Sequence, residues 1–338
     1  MKTKLPFDKA RKVLVRRDGQ TDPRYGCRPR DRPLDRYLRL GCLNLDKPSG
    51  PTSHEVVAWV KKILDLDKAG HSGTLDPMVT GVLLVMLGDS TKVVDSLLSA
   101  GKEYVCLMRV HATLPRKSIL AVCREFRGKI YQKPPIKSNV KRVLRIREIY
   151  YLNVMEIEGP RVLMKVGCEA GTYLRKLCHD MGLALGVGAH MEELRRTRSG
   201  PFQEDETLAT LHDLKDAFVL WKETGDEKEL RRVVHPLESA LGFLPGLVIS
   251  DNAVDAICHG APLAVPGLIS LVSDIEIGDK VVIYTLKGEA VAVATASMTS
   301  EEMMRFSSGI VAKTSRVIME PSIYPRRWSS TKKGAEVV

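Results

Sequence analysis

Asp76 stands in GHSGTLDPMVTG, Gly70–Gly81, where glycine, serine, threonine and proline surround a single carboxylate and His71 lies five positions upstream. Gly73 has access to backbone angles closed to other residues, and Pro77 fixes φ directly after the acid. The apolar run Val82–Leu87 that follows reads as a buried strand. Asp76 is therefore expected on a rigid loop at a strand's edge, a place that suits a reacting group as well as a plain turn residue. Arg175 is the second informative position. It falls in the first turn of a predicted helix, where the dipole disfavours a cation by ~0.3–1 kcal/mol, and it lies off the stripe Leu174, Leu177, Met181. Such an arginine either answers an anionic partner, carboxylate or phosphate, or is an ordinary surface residue. Tyr104 begins a predicted strand after AGKE and either presents its ring at a sheet end or packs in the core. His71 reads as a loop histidine or a catalytic one. With no P-loop, no strand-placed G-x-G-x-x-G and no His/Cys metal spacing, chemistry here is expected to run on a carboxylate without metal, nucleotide or other cofactor.

Periodicity and stop signals place the elements around these residues. Gly41–Leu45 is a strand candidate running into DKPSGPTSHEVV, where Thr52 and Glu55 form a capping-box pattern ahead of the stripe Val56, Val57, Val60, Ile63, Leu64. After the Asp76 loop and its strand comes a second amphipathic helix at about Thr91–Ser99, stopped by Gly101. Lys102–Val110 alternates as a strand, and Ser118–Phe126 forms a third helix ended by Gly128. Arg127–Arg147 then carries eight Lys or Arg and no acid, with Pro134-Pro135 in the middle and Tyr131 nearby. Consecutive prolines exclude a continuous helix and favour an extended, projecting loop. It is either a phosphate-contacting hairpin or a solvated surface loop. Tyr150–Glu158 and Arg161–Glu169 read as a strand pair turned at Gly159-Pro160, and Gly171-Thr172 leads into a helix from about Tyr173 to Leu185. Leu208–Thr224 and Glu227–Leu241 read as helices. From about Leu247 the texture changes to short strands with turn signals at Gly278-Asp279, Lys287-Gly288 and Ser308-Gly309. This is a mostly β module of ~75 residues.

A length of 338 residues fits about two domains of ~150 residues each, and 44% hydrophobic residues suffice for a core in both. The formal charge of +11 is uneven: residues 1–39 hold 13 Lys or Arg against 5 Asp or Glu, a net +8. Such a segment reads as a polyanion-binding arm or a solvated tail, with Val13–Val15 and Leu34–Leu40 apolar enough to dock as short strands. Seven scattered cysteines without a C-x-x-C argue against a disulfide framework and for a reducing compartment. No apolar run approaches the ~20 residues of a membrane span, and MKTKLPFDKARK lacks a secretory apolar core, so a soluble intracellular protein is expected.

Three ordered motifs, GHSGTLDPMVTG, AGKEY at 101–105 and GTYLRKL at 171–177, resemble those of the pseudouridine synthases related to tRNA pseudouridine synthase B. The longer strings GCEAGTYLRKL, LGVGAHMEELRRTRSGPF and RVVHPLE, together with the basic arm, are more similar to the dyskerin branch, which supplies the catalytic subunit of box H/ACA RNA-guided particles. The resemblance runs from about Leu40 to Trp328, and the module from Leu247 resembles a PUA domain, an RNA-binding fold. It implies an α+β catalytic domain over 40–246 around a mixed, mainly antiparallel sheet, a PUA domain over 247–328 and a tail over 329–338. The basic arm, 1–39, is expected to pack on or near the PUA domain. With no long Lys-rich tail, an archaeal member is expected. Met78 stands where many relatives have a basic residue, and Gly88-Asp89 replaces an expected Glu-Arg; both bear on RNA contacts or local packing.

Residue by residue, the resemblance makes Asp76 the catalytic aspartate, Arg175 the arginine that pairs with it and Tyr104 the aromatic that stacks on the target base. His71 matches the loop histidine associated with base flipping, and Tyr173 lines the same pocket. Lys133, Lys137, Lys141 and Arg142 of the basic loop then face RNA phosphates. Pseudouridine formation breaks the N1–C1′ bond, turns the uracil and rejoins it through C5. A carboxylate serves there as nucleophile or stabilises cationic character at C1′. Flipping the uridine costs roughly a few kcal/mol, which phosphate contacts would offset. The implied partners are tRNA, rRNA and a box H/ACA guide RNA, with a small zinc-ribbon protein, a small β-barrel protein and a kink-turn-binding protein, and no membrane. Guided rRNA and the T-arm uridine of tRNA both stay open as substrates. So does the choice between attack by Asp76 at C1′, attack at C6 and proton abstraction at C2′. A non-catalytic RNA-binding scaffold for ribosome assembly and a base-excising glycosylase are the rival functions.

Overall fold

A computed structural model of the chain describes residues 4–134, 141 and 143–326. The described residues up to Lys9 cluster with Leu38–Phe243, and Ala10–Tyr37 cluster with those from Leu244 on. Val13–Val15 forms strand β1, and Leu34–Arg39 forms helix α1 rather than the strand expected there. Leu34, Tyr37 and Leu38 recur at helical spacing and are all buried, and Asp35 in the first turn suits the dipole.

The larger unit contains in order β2 (Gly41–Lys47), α2 (Ser53–Leu64), β3 (Ala69–His71), β4 (Thr80–Leu87), α3 (Val94–Leu98), β5 (Lys102–Val110) and α4 (Arg116–Glu125). There follow β6 (Gly128–Gln132), β7 (Arg145–Glu158), β8 (Arg161–Cys168), α5 (Leu174–Ala184), β9 (Ala189–Ser199) and β10 (Phe202–Gln203). Helices α6 (Leu211–Thr224) and α7 (Lys228–Val233), strand β11 (Val234–Pro236) and helix α8 (Leu237–Leu241) complete it. Its strands form one sheet in the order β11-β2-β4-β9-β5-β8-β7-β6, with β10 on β9 and β3 on β4. The strands pair antiparallel except β4 and β9, which run parallel through Thr80↔Arg195 and Gly81↔Arg196. This is the expected α+β unit with a mixed, mainly antiparallel sheet.

Two packings matter for the site. Helix α2 starts at the Thr52 capping box, ends where Asp65 turns left-handed, and buries Val56, Val57, Val60 and Leu64. Helix α5 buries Leu174, Leu177, Cys178 and Met181 against Cys106 and Met108 of β5 and Met164 and Val166 of β8. The exposed Arg175 beside Leu174 is aimed by that apolar face.

Three further expectations change. The Thr91–Ser99 helix is mostly a 3-10 turn over Gly88–Val93 that passes into the short α3. There the Ser90 hydroxyl bonds the carbonyls of Gly41 and Leu87, both at 2.6 Å, in competition with helix formation. The Glu227–Leu241 helix is interrupted by β11, where Pro236 has no N–H to donate and His235 sits opposite Cys42 of β2. Strand β9, which lies between β4 and β5, has no counterpart among the elements read from periodicity.

The smaller unit adds β12 (Gly246–Ile249), α9 (Asp251–Cys258), β13 (Leu263–Ala264), β14 (Leu268–Val272), β15 (Lys280–Tyr284), β16 (Ala290–Ala296), α10 (Ser300–Arg305) and β17 (Ile310–Val317). Its sheet runs β1-β14-β12-β15-β16-β17-β13. The arm supplies β1 as an edge strand, Val13 opposite Val272. The Arg16 guanidinium donates to the carbonyls of Met303, Met304 and Phe306 at the end of α10, where a cation complements the helix terminus. Among the described residues no helix is long and apolar enough to cross a membrane.

Candidate active site

Asp76 sits in a tight turn between β3 and β4. Pro77 and Met78 occupy its centre, and the Val79 N–H donates to the Asp76 carbonyl at 3.0 Å. Leu75 and Val79 on either side are buried while Asp76 and Met78 are exposed, so apolar anchors present the acid to solvent. Three residues of the β2–α2 segment hold this turn. The buried Ser53 hydroxyl donates to the Leu75 carbonyl at 3.1 Å and accepts from its N–H at 2.9 Å. The Lys47 ammonium, 0% exposed, donates to the carbonyls of Pro48, Pro77 and Val79 at 2.7, 2.9 and 3.0 Å. The Gly50 N–H meets the Pro77 carbonyl at 3.0 Å. Burial lowers the Lys47 pKa, Arg196 lowers it further, and the Asp76 charge opposes both.

Arg175, the second residue of α5, places Nη2 2.5 Å from Asp76 Oδ2. The cation against the helix dipole thus meets a carboxylate, ninety-nine positions away in sequence. The pair lies open: the two side chains are 62% and 57% exposed. The start of α5 is itself bracketed. Buried Gln132 at the end of β6 accepts from the Tyr173 N–H at 2.9 Å and donates to the Tyr173 carbonyl at 3.1 Å. Thr172 closes the preceding turn through a 2.6 Å bond to the Glu169 carbonyl.

Tyr104 lies on β5 opposite Val166 of β8 and Arg196 of β9. Burial raises its pKa, the Arg196 charge lowers it, and the Asp76 charge also reaches it. His71 ends β3, half-buried, with Nδ1 accepting the Gly73 N–H at 3.3 Å and its ring T-shaped against His54 at 5.0 Å. Burial, then His54, then Arg196 bring the His71 pKa down to about 4. The structure therefore gathers Asp76, Arg175, His71 and Tyr104 around one loop, with Tyr173 at the head of α5.

Lys133 and Lys141 are exposed on the hairpin of β6 and β7, where Tyr131 and Ile146 form an exposed cross-strand pair. Lys137 and Arg142 lie outside the described residues. Met78 touches Ser49 at the outer face of the turn, and Asp89 pairs with Arg39 at 2.7 Å and with Lys92 at 3.4 Å. Lys47, Ser53, Gln132 and Arg196 carry no sequence signal beyond their place in polar strings flanking predicted strands.

A mixed sheet that presents a loop-borne carboxylate to a helix-borne arginine, beside a basic hairpin and followed in sequence by a small β unit, is the arrangement expected of the pseudouridine synthase class. The chain belongs to the TruB family of pseudouridylate synthases. Residues 61–174 match the N-terminal domain of that family, and 175–242 match the C-terminal domain of tRNA pseudouridylate synthase B. Residues 2–57 match the DKCLD (NUC011) domain, and 245–318 match the PUA domain. A probable tRNA pseudouridine synthase B of Methanosarcina barkeri is 57% identical over 334 residues, 98% of each chain. Among solved structures, a chain of an H/ACA RNP bound to a substrate RNA containing 2′-deoxyuridine is similar at TM-score 0.90 and 53% identity, over 96% of this chain and 99% of that one. A chain of a Cbf5-Nop10-Gar1 complex is similar at TM-score 0.91 and 55% identity, over 95% and 98%.

Proposed function

We propose that the protein isomerises uridine to pseudouridine in RNA, with Asp76 as the reacting carboxylate, Arg175 as its counter-ion and Tyr104 as the surface on which the flipped uracil stacks. The observation that carries this reading is the 2.5 Å Asp76–Arg175 pair on a turn held by Lys47 and Ser53. Isomerisation breaks N1–C1′ and forms C5–C1′; C5 gives up a proton and N1 takes one, with no net redox change. Arg175 fixes which carboxylate oxygen is free, and the tyrosine ring retains the uracil while it turns. The open site is closed by the RNA itself, which excludes water from the carboxylate as the base enters.

His71 and Tyr173 flank the incoming nucleotide, and Lys133, Lys137, Lys141 and Arg142 bind its phosphates. The substrates are the T-arm uridine of tRNA and rRNA uridines selected by a box H/ACA guide RNA. The likeness to the solved H/ACA RNP and the Cbf5-Nop10-Gar1 complex supports the guided mode. In that mode a small zinc-ribbon protein, a small β-barrel protein and a kink-turn-binding protein join the chain in the cytoplasm. The 1–39, 40–246 and 247–328 segments act as arm, catalytic domain and PUA domain.

The test is release of tritium from RNA labelled at uridine C5, with the base remaining on the chain. Asp76→Asn should lower release by at least ~10³-fold while RNA affinity stays within about twofold. Release of free uracil would indicate a glycosylase, and RNA binding without either product would indicate a scaffold.

A further inference from the structure

The string LGVGAHMEELRRTRSGPF contains a second almost completely buried cation beside the site. Arg196 is 1% exposed, and no carboxylate is among its hydrogen-bond partners in the described residues. A guanidinium cannot discharge by losing its proton, so burying one without a counter-ion is unfavourable unless its donors are used. Here they are used on two separate elements. Nε donates to the Val82 carbonyl of β4 at 2.7 Å, Nη2 donates to the Gly73 carbonyl of the Asp76 loop at 3.1 Å, and Tyr104 of β5 is the cross-strand partner of the same residue.

The backbone of the same residue closes the other end of the loop. Arg196 is the parallel partner of Gly81, and a Cβ on Gly81 would lie 2.2 Å from the Arg196 carbonyl oxygen. Only glycine permits that approach, and Gly81 adopts φ +98° to make it. Gly73 is also left-handed, φ +133°, with a Cβ there reaching 3.6 Å from Nη1. One residue of β9 thus fixes where the loop leaves the site and where it returns, and it pairs across the sheet with the stacking tyrosine as well.

We infer that Arg196 is the positioning residue that sets the Asp76 loop and the Tyr104 ring in register with each other. This rests on the roles given to Asp76 and Tyr104 above. Arg196 never meets the substrate; it acts through the two groups that do. A lysine retains the charge but has no planar fork, so it does not reproduce the separate Nε and Nη2 bonds to a carbonyl on β4 and a carbonyl on the loop.

The experiment compares the wild-type chain with Arg196→Lys, Tyr104→Phe and the double variant, by single-turnover tritium release and by amide hydrogen exchange over residues 70–81. Arg196→Lys should lower the chemical rate by about 10–100-fold with KM for RNA within about threefold, because a misplaced reacting group slows the chemical step. Exchange over the loop should rise by about tenfold while β7 and β8 stay unchanged. Tyr104→Phe alone should slow turnover by about fivefold or more, and the double variant should be no slower than Arg196→Lys within about twofold, since the two are cross-strand partners that act as a unit. Multiplicative losses, or an Arg196→Lys chain with wild-type turnover and loop exchange, would overturn the proposal. Should Arg196→Lys fail to fold, wild-type turnover and unchanged exchange at Gly73–Leu75 in Tyr104→Phe would overturn it alone. If the wild-type chain releases no tritium, the isomerase reading fails, and loop exchange still decides whether Arg196 clamps the loop.

Discussion

Asp76 and Arg175 form an exposed pair, and exposed ion pairs contribute little to stability. Their value is directional: one guanidinium nitrogen occupies one carboxylate oxygen and leaves the other free. An anion opposite Arg175 could be foreseen because a cation in the first turn of α5 works against the helix dipole. Lys47, Ser53 and Arg196 could not be, since each meets backbone groups of distant segments and nothing in a side chain's type says which carbonyl it will find. His71 gives a prediction at this scale. Its folded pKa of about 4 lies below the 6.5 of an ordinary imidazole. Between those values the unfolded chain binds a proton that the folded chain refuses, so His71 erodes stability as pH falls from 6.5 through 4 and has no effect above 6.5. More directly, the imidazole is neutral throughout the physiological range. NMR of the His71 ring should give a midpoint near 4, and the pH–rate profile should show no inflection from it between about pH 5 and 8. A midpoint near 6.5 would mean that the ring is not held between His54 and the Arg196 side as described.

At the scale of elements, α2 and β5 were legible because their apolar residues keep one period from cap to stop, and β5 begins and ends where alternation does. Strand β9 was illegible for a physical reason. Its sequence AHMEELRRTRS is mostly polar: Ala189, Met191 and Leu194 reach the core, while Arg196, Thr197 and Arg198 meet the Gly73 carbonyl, Glu103 and Asp8. The strand that organises the site therefore lacks the pattern by which strands are recognised. Gln132 shows how an element boundary carries function in the same way. It joins the last residue of β6 to the first turn of α5 through both polar groups of the Tyr173 backbone. Gln132→Leu would leave the Tyr173 N–H without its partner, at about 1–3 kcal/mol, while the Tyr173 carbonyl keeps the Leu177 N–H. Because α5 carries Arg175, turnover should also fall by roughly tenfold with RNA affinity unchanged. Thermal unfolding and tritium release measure the two effects, and a loss of stability without slower turnover would show that the bracket does not set Arg175.

At the scale of the whole molecule, the charge of +11 does not describe where the charges act. Arg16 of the arm closes a helix end, and Lys47, Lys102 and Arg196 are buried beneath the Asp76 loop with carbonyls rather than carboxylates as their main acceptors. Placing cations there opposes folding, and Lys102 makes the opposition measurable. It is buried, bonds the carbonyls of Leu98 and Ala100, and lies near Arg196. Burial first and Arg196 second bring its pKa from 10.5 to about 7. Below about 7 the folded and unfolded chains both carry the proton, and the full burden of the buried charge is present. Between about 7 and 10.5 the unfolded chain binds a proton that the folded chain has lost, so stability rises with pH across that window. In Lys102→Met the two carbonyls lose their donor at every pH, a constant loss, while the titrating group is gone. The stability of wild type minus that of Lys102→Met, from denaturant unfolding, should therefore be flat below about pH 7 and climb by several kcal/mol, to order of magnitude, towards pH 10. A difference that stays flat to pH 10, or falls, would mean that Lys102 keeps its proton beside Arg196, and that the ground beneath the loop is more polar than its burial implies.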